Sequence, residues 1–239
     1  LVSLFSLSAL AQTLPPPALS AKAWALVDHA TGQTLAEKDA DARIEPASLT
    51  KLMTAYITFS KLKEGSLKPD QVVPVSTKAW RMEGSRMFIE PNKPVSVDEL
   101  IRGVIVQSGN DACVALAETI AGSEEAFAAL MNREAQRLGM TNTHFTNSTG
   151  LPDPQLYTSA RDLAVLASAI VRDFPEYYGL YSLKEFTYNG IKQPNRNRLL
   201  YMDPSVDGMK TGHTSSAGYC LVSTARRGER RLVSVVLGA

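Results

Sequence analysis

The 239-residue sequence contains only two cysteines and has no excess of either charge. Two cysteines are too few for a disulfide scaffold and lack the spacing of metal ligands. The sequence does not decide whether Cys113 and Cys220 form a single disulfide, because it does not show how far apart they lie. Apolar residues at helical spacing around Cys113 favour a packed core thiol at that position. The 25 lysines and arginines are balanced by 24 aspartates and glutamates, so no long-range field attracts phosphates. Nucleic acid is therefore not expected as a partner.

Long apolar runs are also scarce, and the main one lies at the start of the chain, in residues 1–11 (LVSLFSLSALA). This run is too short to span a bilayer, and it ends in Ala-Leu-Ala before Gln12, as the end of a secretory signal peptide does. A frayed hydrophobic N-terminus is the alternative. The sequence therefore predicts an exported protein, with residues 1–11 as a residual signal peptide and residues 12–22 as a proline-containing linker.

Residues 23–239 are interpreted as one α+β domain. Short apolar runs at 23–28 and 34–37 flank a turn and predict a hairpin, and short strands return after residue 183. Between them, apolar residues at helical spacing predict five helices, four of which begin at Ser48, Ser96, Ser123 and Ser159. Strands at both ends of the domain with helices between them predict an antiparallel sheet that the N-terminal hairpin completes.

Common catalytic and cofactor-binding motifs are missing. The three histidines, His29, His144 and His213, are scattered, and none belongs to the H-E-x-x-H motif of zinc hydrolases. The sequence has no G-x-S-x-G nucleophile elbow, and Met209 stands where a phosphate-binding loop has the glycine before its lysine. The sequence therefore implies no metal and no organic cofactor.

Ser48 and Lys51 form an S-x-x-K pair at the start of the first predicted helix, where residues three apart share a face. A serine hydroxyl needs an adjacent base, and a lysine can be that base if burial or a neighbouring cation lowers its pKa. Free N–H groups at a helix N-terminus would stabilise a developing oxyanion. The pair predicts a nucleophile with its base, and helix capping by Ser48 is the alternative.

One S-x-x-K match per chain of this length is expected by chance, and Ser60 with Lys63 supplies a second match that we interpret as solvated surface. Two further motifs follow the Ser48–Lys51 pair along the chain. Ser108-Gly109-Asn110 lies at a junction between two predicted helices, and Lys210-Thr211-Gly212 is predicted to open a strand. These three motifs in this order are the signature of serine β-lactamases and penicillin-binding proteins.

The sequence resembles the low-molecular-mass penicillin-binding proteins that act as serine-type D-alanyl-D-alanine carboxypeptidases, peptidase family S11. The resemblance extends from about Ala23 to the end of the chain. It implies a β-lactamase/transpeptidase-like α+β fold: an antiparallel sheet flanked by helices, with an all-helical subdomain that carries the S-G-N motif. The segments that carry the resemblance are Pro46–Lys51, Leu100–Cys113, Asn195–Asn197 and Val206–Thr214.

The resemblance implies a catalytic role for three residues. Ser48 would be the nucleophile that forms an acyl-enzyme, and Lys51 would be the base that takes its proton. Ser108 would relay a proton to the leaving amine. The substrate would be a peptidoglycan stem peptide that ends in D-Ala-D-Ala, and β-lactams would act as covalent inhibitors.

Six further residues are implied as binding residues. Asn110 would hold the peptide amide and order Lys51, and Lys210 would tune the catalytic groups electrostatically. Thr211 would help seat the substrate carboxylate, and Gly212 is implied as a substrate-binding residue next to it. The backbone N–H of His213 would complete an oxyanion hole with that of Ser48. Arg196 would be either a cation near the site or a structural ion-pair partner.

The residues alone do not exclude other functions. A class A β-lactamase shares the nucleophile, the lysine and the fold, but it needs a glutamate after the second motif, and residues 135–175 contain none. A non-catalytic penicillin sensor or peptidoglycan-binding protein is a further alternative. Endopeptidase cleavage of cross-links uses the same acyl-enzyme chemistry, so the motifs do not separate it from carboxypeptidase action.

The resemblance also implies segments beyond this chain. Members of the family usually continue past the strand at 232–237 into a helix, a small β-domain and an amphipathic membrane anchor. We therefore expect residues 23–239 to be a catalytic domain truncated at its C-terminus. The full-length protein is expected in the periplasm at the outer face of the inner membrane, and membrane attachment is expected only through the C-terminal segment that this chain lacks.

Overall fold

The computed structural model describes Pro16 and residues 18–239. The expected signal-peptide remnant, residues 1–11, lies outside the described residues, as do positions 12–15 and 17 of the expected linker. No helix within the described part of the chain has both the length and the apolar character needed to cross a membrane.

A five-stranded antiparallel sheet forms one layer of the molecule. The strands are β1 (Ala23–Asp28), β2 (Thr34–Lys38), β3 (Val72–Val73), β4 (Val95–Ser96), β5 (Glu185–Tyr188), β6 (Ile191–Pro194), β7 (Val206–Thr214), β8 (Gly218–Arg227) and β9 (Arg230–Leu237). The order in the large sheet is β2-β1-β9-β8-β7, and β3–β4 and β5–β6 form two small antiparallel pairs. The N-terminal hairpin β1–β2 therefore completes the sheet, as predicted.

Helices cover the sheet and form a second group around α4. They are α1 (Lys51–Lys63), α2 (Thr77–Trp80), α3 (Val97–Arg102), α4 (Asn110–Ala121), α5 (Glu124–Leu138), α6 (Ala160–Asp173), α7 (Pro175–Tyr178) and α8 (Leu199–Met202). Helix α6 packs on β1 and β9, and α1 contacts α4, α5 and α6. Because α1 lies between these helices, its residues from Lys51 to Phe59 are all buried.

Three of the four predicted helix starts, at Ser96, Ser123 and Ser159, are confirmed. Ser96 accepts the N–H of Glu99, whose carboxylate accepts the N–H of Ser96 in return, so the capping box is complete. Ser123 and Ser159 cap α5 and α6 through their hydroxyls.

The start of the first helix differs from the prediction. Residues Ala47–Thr50 form a 3₁₀ turn, and α1 begins only at Lys51, so Ser48 lies in the turn and caps no helix. The second S-x-x-K pair, Ser60 with Lys63, lies in the last turn of α1, and Ser60 Oγ donates to Glu64 at the surface.

The strand boundaries near the third motif also differ. Lys210 does not open a strand, because β7 begins at Val206 and runs to Thr214. The register pairs Lys210 with Val222 and Gly212 with Cys220. The motif therefore lies within an edge strand, where pairing with β8 on one side leaves the other side free to face the helices.

The two thiols are buried and unpaired. Cys113 is fully buried in α4, as its helical spacing predicted, and Cys220 lies in β8. Both are free cysteines, so the disulfide that the sequence left open is not formed.

Candidate active site

Ser48 lies where the 3₁₀ turn meets the edge strand. Its predecessor Ala47 has a positive φ of 48°, which turns the chain sharply before the serine. Gly212 of β7 packs against this turn so closely that a Cβ would lie 3.1 Å from both Ser48 N and Pro46 O. A glycine at position 212 therefore brings the strand backbone beside Ser48, which is half-buried.

Lys51 is 1% exposed and directs its amine towards Ser48. The distance from Lys51 Nζ to Ser48 Oγ is 3.0 Å. The same amine donates to Asn110 Oδ1 at 2.8 Å and to the backbone oxygen of Thr149 at 2.6 Å. Three elements, α1, α4 and the loop before α6, thus hold one amine beside one hydroxyl.

Ser108 and Lys210 form a second hydroxyl–amine pair. Lys210 Nζ donates to Ser108 Oγ at 3.0 Å and to the backbone oxygen of Thr211 at 2.9 Å. Ser108 adopts a left-handed conformation with φ of 61°, because a π-helical turn at Gly103–Gln107 ends there and the chain reverses into α4. This reversal directs the Ser108 side chain to the edge strand.

The two amines have lowered pKa values. Burial lowers the pKa of Lys51 to about 8, and the Arg196 cation acts in the same direction. Burial also holds the pKa of Lys210 well below its ordinary value, with further contributions from Lys51 and Arg196. Of the two causes that the sequence analysis considered for a lowered lysine pKa, burial is the larger one at both lysines, and neighbouring cations add to it.

The amide of Asn110 has a fixed orientation. Its Nδ2 donates to the backbone oxygen of Glu83 at 2.7 Å, which leaves Oδ1 to accept from Lys51. The thiol of Cys113, one turn further along α4, has its pKa raised to about 12 by burial. The thiol is therefore a packed neutral group.

A cleft of about 900 Å³ opens above these groups. No aspartate or glutamate is among the described residues that line it, whereas Arg196 and Arg198 are. Arg196 is exposed, donates to Ser85 Oγ at 2.6 Å and has no carboxylate partner within the described chain. Its guanidinium thus lines the cleft without forming an ion pair among the described residues. The cleft suits a substrate that carries a carboxylate.

The nine predicted site residues lie together. Those that line the cleft are Ser48, Ser108, Arg196, Thr211, Gly212 and His213. Lys51, Asn110 and Lys210 lie directly behind them and are joined to the lining or to each other by hydrogen bonds. The ring of His213 packs against Tyr219, with 4.3 Å between centroids.

Sequence reasoning missed the backbone groups that hold Lys51 and Asn110. Thr149 belongs to an Asn-Ser-Thr-Gly turn in which Asn147 Oδ1 accepts the N–H groups of Thr149 and Gly150. Such a turn is readable from sequence, although its position beside Lys51 is not. Among the described residues, no three His, Cys, Asp or Glu side chains are grouped as metal ligands.

Comparison with solved structures defines the class of fold. Penicillin-binding protein 5 from Haemophilus influenzae is 48% identical with a TM-score of 0.92, and the match covers 95% of this chain and 67% of that one. Penicillin-binding protein D2 from Listeria monocytogenes, solved in an ampicillin-bound form, is 32% identical with a TM-score of 0.86 and coverage of 95% and 92%. The chain therefore has the transpeptidase-like fold of the penicillin-binding proteins, as the resemblance implied.

The chain belongs to the D-alanyl-D-alanine carboxypeptidase family, peptidase family S11, whose model matches residues 10–239. Among curated proteins, D-alanyl-D-alanine carboxypeptidase DacC of Escherichia coli (strain K12) is 50% identical over 235 residues, which is 95% of this chain and 59% of that protein. DacA of the same strain is 47% identical and is covered to 57%. The chain thus spans about three fifths of the length of these relatives.

Proposed function

We propose that this protein is a serine-type D-Ala-D-Ala carboxypeptidase that removes the terminal D-alanine of peptidoglycan stem peptides through an acyl-enzyme on Ser48. The contact between Lys51 Nζ and Ser48 Oγ, at 3.0 Å, carries the proposal. The activity of the family members named above supports it.

The contacts of Lys51 suit a base. A neutral amine has two N–H bonds and one lone pair. The carbonyl oxygens of Asn110 and Thr149 accept two N–H bonds. The lone pair of the neutral amine therefore faces Ser48 Oγ, and a pKa of about 8 keeps an appreciable neutral fraction at neutral pH.

The reaction then proceeds in two stages. Ser48 Oγ attacks the carbonyl carbon of the penultimate D-alanine as its proton passes to Lys51, and the N–H groups of Ser48 and His213 bind the oxyanion. Ser108 passes its proton to the nitrogen of the leaving D-alanine as the peptide bond breaks, and it takes a proton in return from Lys210, whose amine donates to Ser108 Oγ. Water then hydrolyses the ester on Ser48, which releases the shortened peptide.

The binding residues are assigned by their place in the cleft. Thr211 and Gly212 of the edge strand would seat the terminal carboxylate, and the guanidinium of Arg196 would add positive charge beside it. Asn110, which lies behind Ser48 and Ser108, would hold the peptide amide as well as Lys51. No cofactor enters these steps.

A β-lactam would acylate Ser48 by the same attack and leave slowly. The loop that reaches Lys51, residues 147–151, contains no carboxylate to activate water, and no glutamate occurs in residues 135–175. This absence favours a carboxypeptidase over a class A β-lactamase.

Two measurements on the wild-type protein test the proposal. We expect release of D-alanine from diacetyl-L-Lys-D-Ala-D-Ala, and a benzylpenicillin adduct that persists in intact-mass spectra and maps to Ser48. Rapid penicillin turnover without an adduct would support a β-lactamase instead. A stable adduct without any D-alanine release would support a penicillin sensor.

The acylation rate is expected to depend on pH through Lys51. Because the amine must be neutral to take the proton, the rate constant should rise as pH increases and level off above about 8. The rate of nitrocefin acylation, followed by stopped flow across the neutral and alkaline range, measures this profile. A profile that still rises up to the ordinary lysine value of 10.5 would contradict the assignment of Lys51 as the base.

We also infer that residues 23–239 are the catalytic domain and that the protein is exported to the periplasm. The apolar run that ends in Ala-Leu-Ala before Gln12 supports export. N-terminal sequencing of the secreted protein would test cleavage before Gln12. Limited proteolysis followed by N-terminal sequencing would test whether a stable domain begins near residue 23.

A further inference from the structure

Asp111 is a buried carboxylate to which the proposed reaction assigns no role. It is 1% exposed and has no cationic partner among the described residues. Its Oδ1 accepts the N–H of Met87 at 3.0 Å, and its Oδ2 accepts those of Phe88 at 2.8 Å and Ile89 at 3.2 Å. Because a buried charge is costly without such bonds, the carboxylate and this segment hold each other in place.

The segment that Asp111 holds, residues 83–89, also holds Asn110. The backbone oxygen of Glu83 accepts from Asn110 Nδ2 at 2.7 Å, and the backbone oxygen of Ser85 accepts the N–H of Asn110 at 2.7 Å. The hydroxyl of Ser85 accepts from Arg196. Two adjacent residues of α4 therefore bind one segment, which forms part of the cleft wall.

We infer that Asp111 is a positioning residue for the reaction, because it fixes the segment that orients the Asn110 amide towards Lys51. The inference rests on the proposed function of Lys51. If the Glu83 carbonyl shifts, Asn110 Nδ2 loses its acceptor and the amide can rotate. An NH₂ group facing Lys51 cannot accept its N–H, so the lone pair of the amine is no longer aimed at Ser48.

The glycine of the Ser108-Gly109-Asn110 motif is consistent with this inference, because it leaves room for the contact between Asp111 and Met87. A Cβ at Gly109 would lie 2.9 Å from Asp111 Oδ1 and 3.3 Å from Met87 N. Gly109 has a negative φ that any residue adopts, so the backbone conformation does not require glycine there. The requirement comes from the close approach of the 83–89 segment to the Asp111 carboxylate.

The test compares Asp111→Asn with a matched control, Asp162→Asn. Asp162 is likewise buried near the start of a helix and accepts from Asn142 N at 2.8 Å and Thr143 Oγ1 at 2.7 Å, but the residues it holds do not line the cleft. Both variants should lower the melting temperature. We expect Asp111→Asn alone to slow benzylpenicillin acylation, by about 10- to 100-fold, because a displacement of about 1 Å has an effect of that size.

The pH profile of acylation adds a readout that lost stability does not change. In Asp111→Asn the rising limb should move to lower pH, because Lys51 loses both a nearby negative charge and a fixed carbonyl acceptor. Cys113, Arg196 and Lys210, which also face Lys51, are unchanged in this variant. Asp162→Asn should keep the wild-type profile.

A second variant covers the case in which Asp111→Asn does not fold. Gly109→Ala keeps the carboxylate and displaces the 83–89 segment by contact, so it should slow acylation as well. Equal acylation rates in Asp111→Asn and Asp162→Asn, or a wild-type rate in Gly109→Ala, would overturn the inference. Failure of the wild-type protein to form any adduct would instead overturn the proposed function.

Discussion

The Ser48→Ala variant is expected to release no measurable D-alanine and to form no adduct with a penicillin. Lys51 Nζ contacts Ser48 Oγ, whereas the other serine hydroxyl of the site, Ser108 Oγ, accepts a hydrogen bond from Lys210. Removing the nucleophile of a comparable serine hydrolase costs about 10⁶-fold in rate. Ser48 caps no helix, so the variant should fold normally. A radiolabelled D-alanine release assay and intact-mass spectra measure both losses.

The chain contains its own control for this experiment. Ser60→Ala removes the serine of the second S-x-x-K pair, whose hydroxyl donates to Glu64 at the surface. This variant should keep wild-type release and wild-type acylation, because surface substitutions of this kind have small effects. An adduct on Ser48→Ala, or a loss of activity in Ser60→Ala, would mean that the nucleophile has been assigned wrongly.

The five longer helices could be predicted because most of their ends are set by local chemistry, whereas the four-residue helices α2, α7 and α8 were not predicted. Ser96, Ser123 and Ser159 each accept an N–H group three residues on, which depends only on neighbouring residues. Gly122 and Gly139 end α4 and α5 in the left-handed conformation that glycine tolerates. Signals of this kind do not depend on the rest of the fold.

Strand limits were harder to predict because strand pairing is not local. β7 extends back to Val206 because Ala225, nineteen residues later in the chain, pairs with it. The strand β6 is hard to delimit from the sequence, although Asn189 and Gly190 before it both have positive φ and form the Asn-Gly turn typical of hairpins. A proline and mostly exposed residues conceal that strand in the sequence.

The side chains of the site could be predicted from the sequence, but the backbone groups that hold them in place could not. Ser48, Lys51 and Lys210 could be found because their residue types and order are uncommon in combination. The carbonyl oxygens of Glu83 and Thr149 could not, because each residue has such a group and only the folded loops select which ones reach the site. These carbonyls nevertheless decide where the Lys51 amine and the Asn110 amide point.

The loop that carries Thr149 depends on Gly150, and Gly150→Ala is expected to have the largest effect on stability. Gly150 has φ of +84°, and a Cβ there would lie 1.8 Å from Ala47 O and 2.9 Å from Thr50 Oγ1. The variant therefore combines left-handed strain with a collision against the turn that holds Ser48. We expect the free energy of unfolding to fall by about 3–5 kcal/mol, measured by urea denaturation.

Gly139→Ala separates the strain from the collision. Gly139 has φ of +79° but nothing within 4 Å of an added Cβ, so it should lose only about 1–2 kcal/mol of unfolding free energy. Under conditions where both variants are folded, only Gly150→Ala should acylate more slowly, because its collision displaces the Thr149 carbonyl that holds Lys51. Equal losses of stability and unchanged acylation would show that the loop adapts, and that Thr149 is not needed to aim the amine.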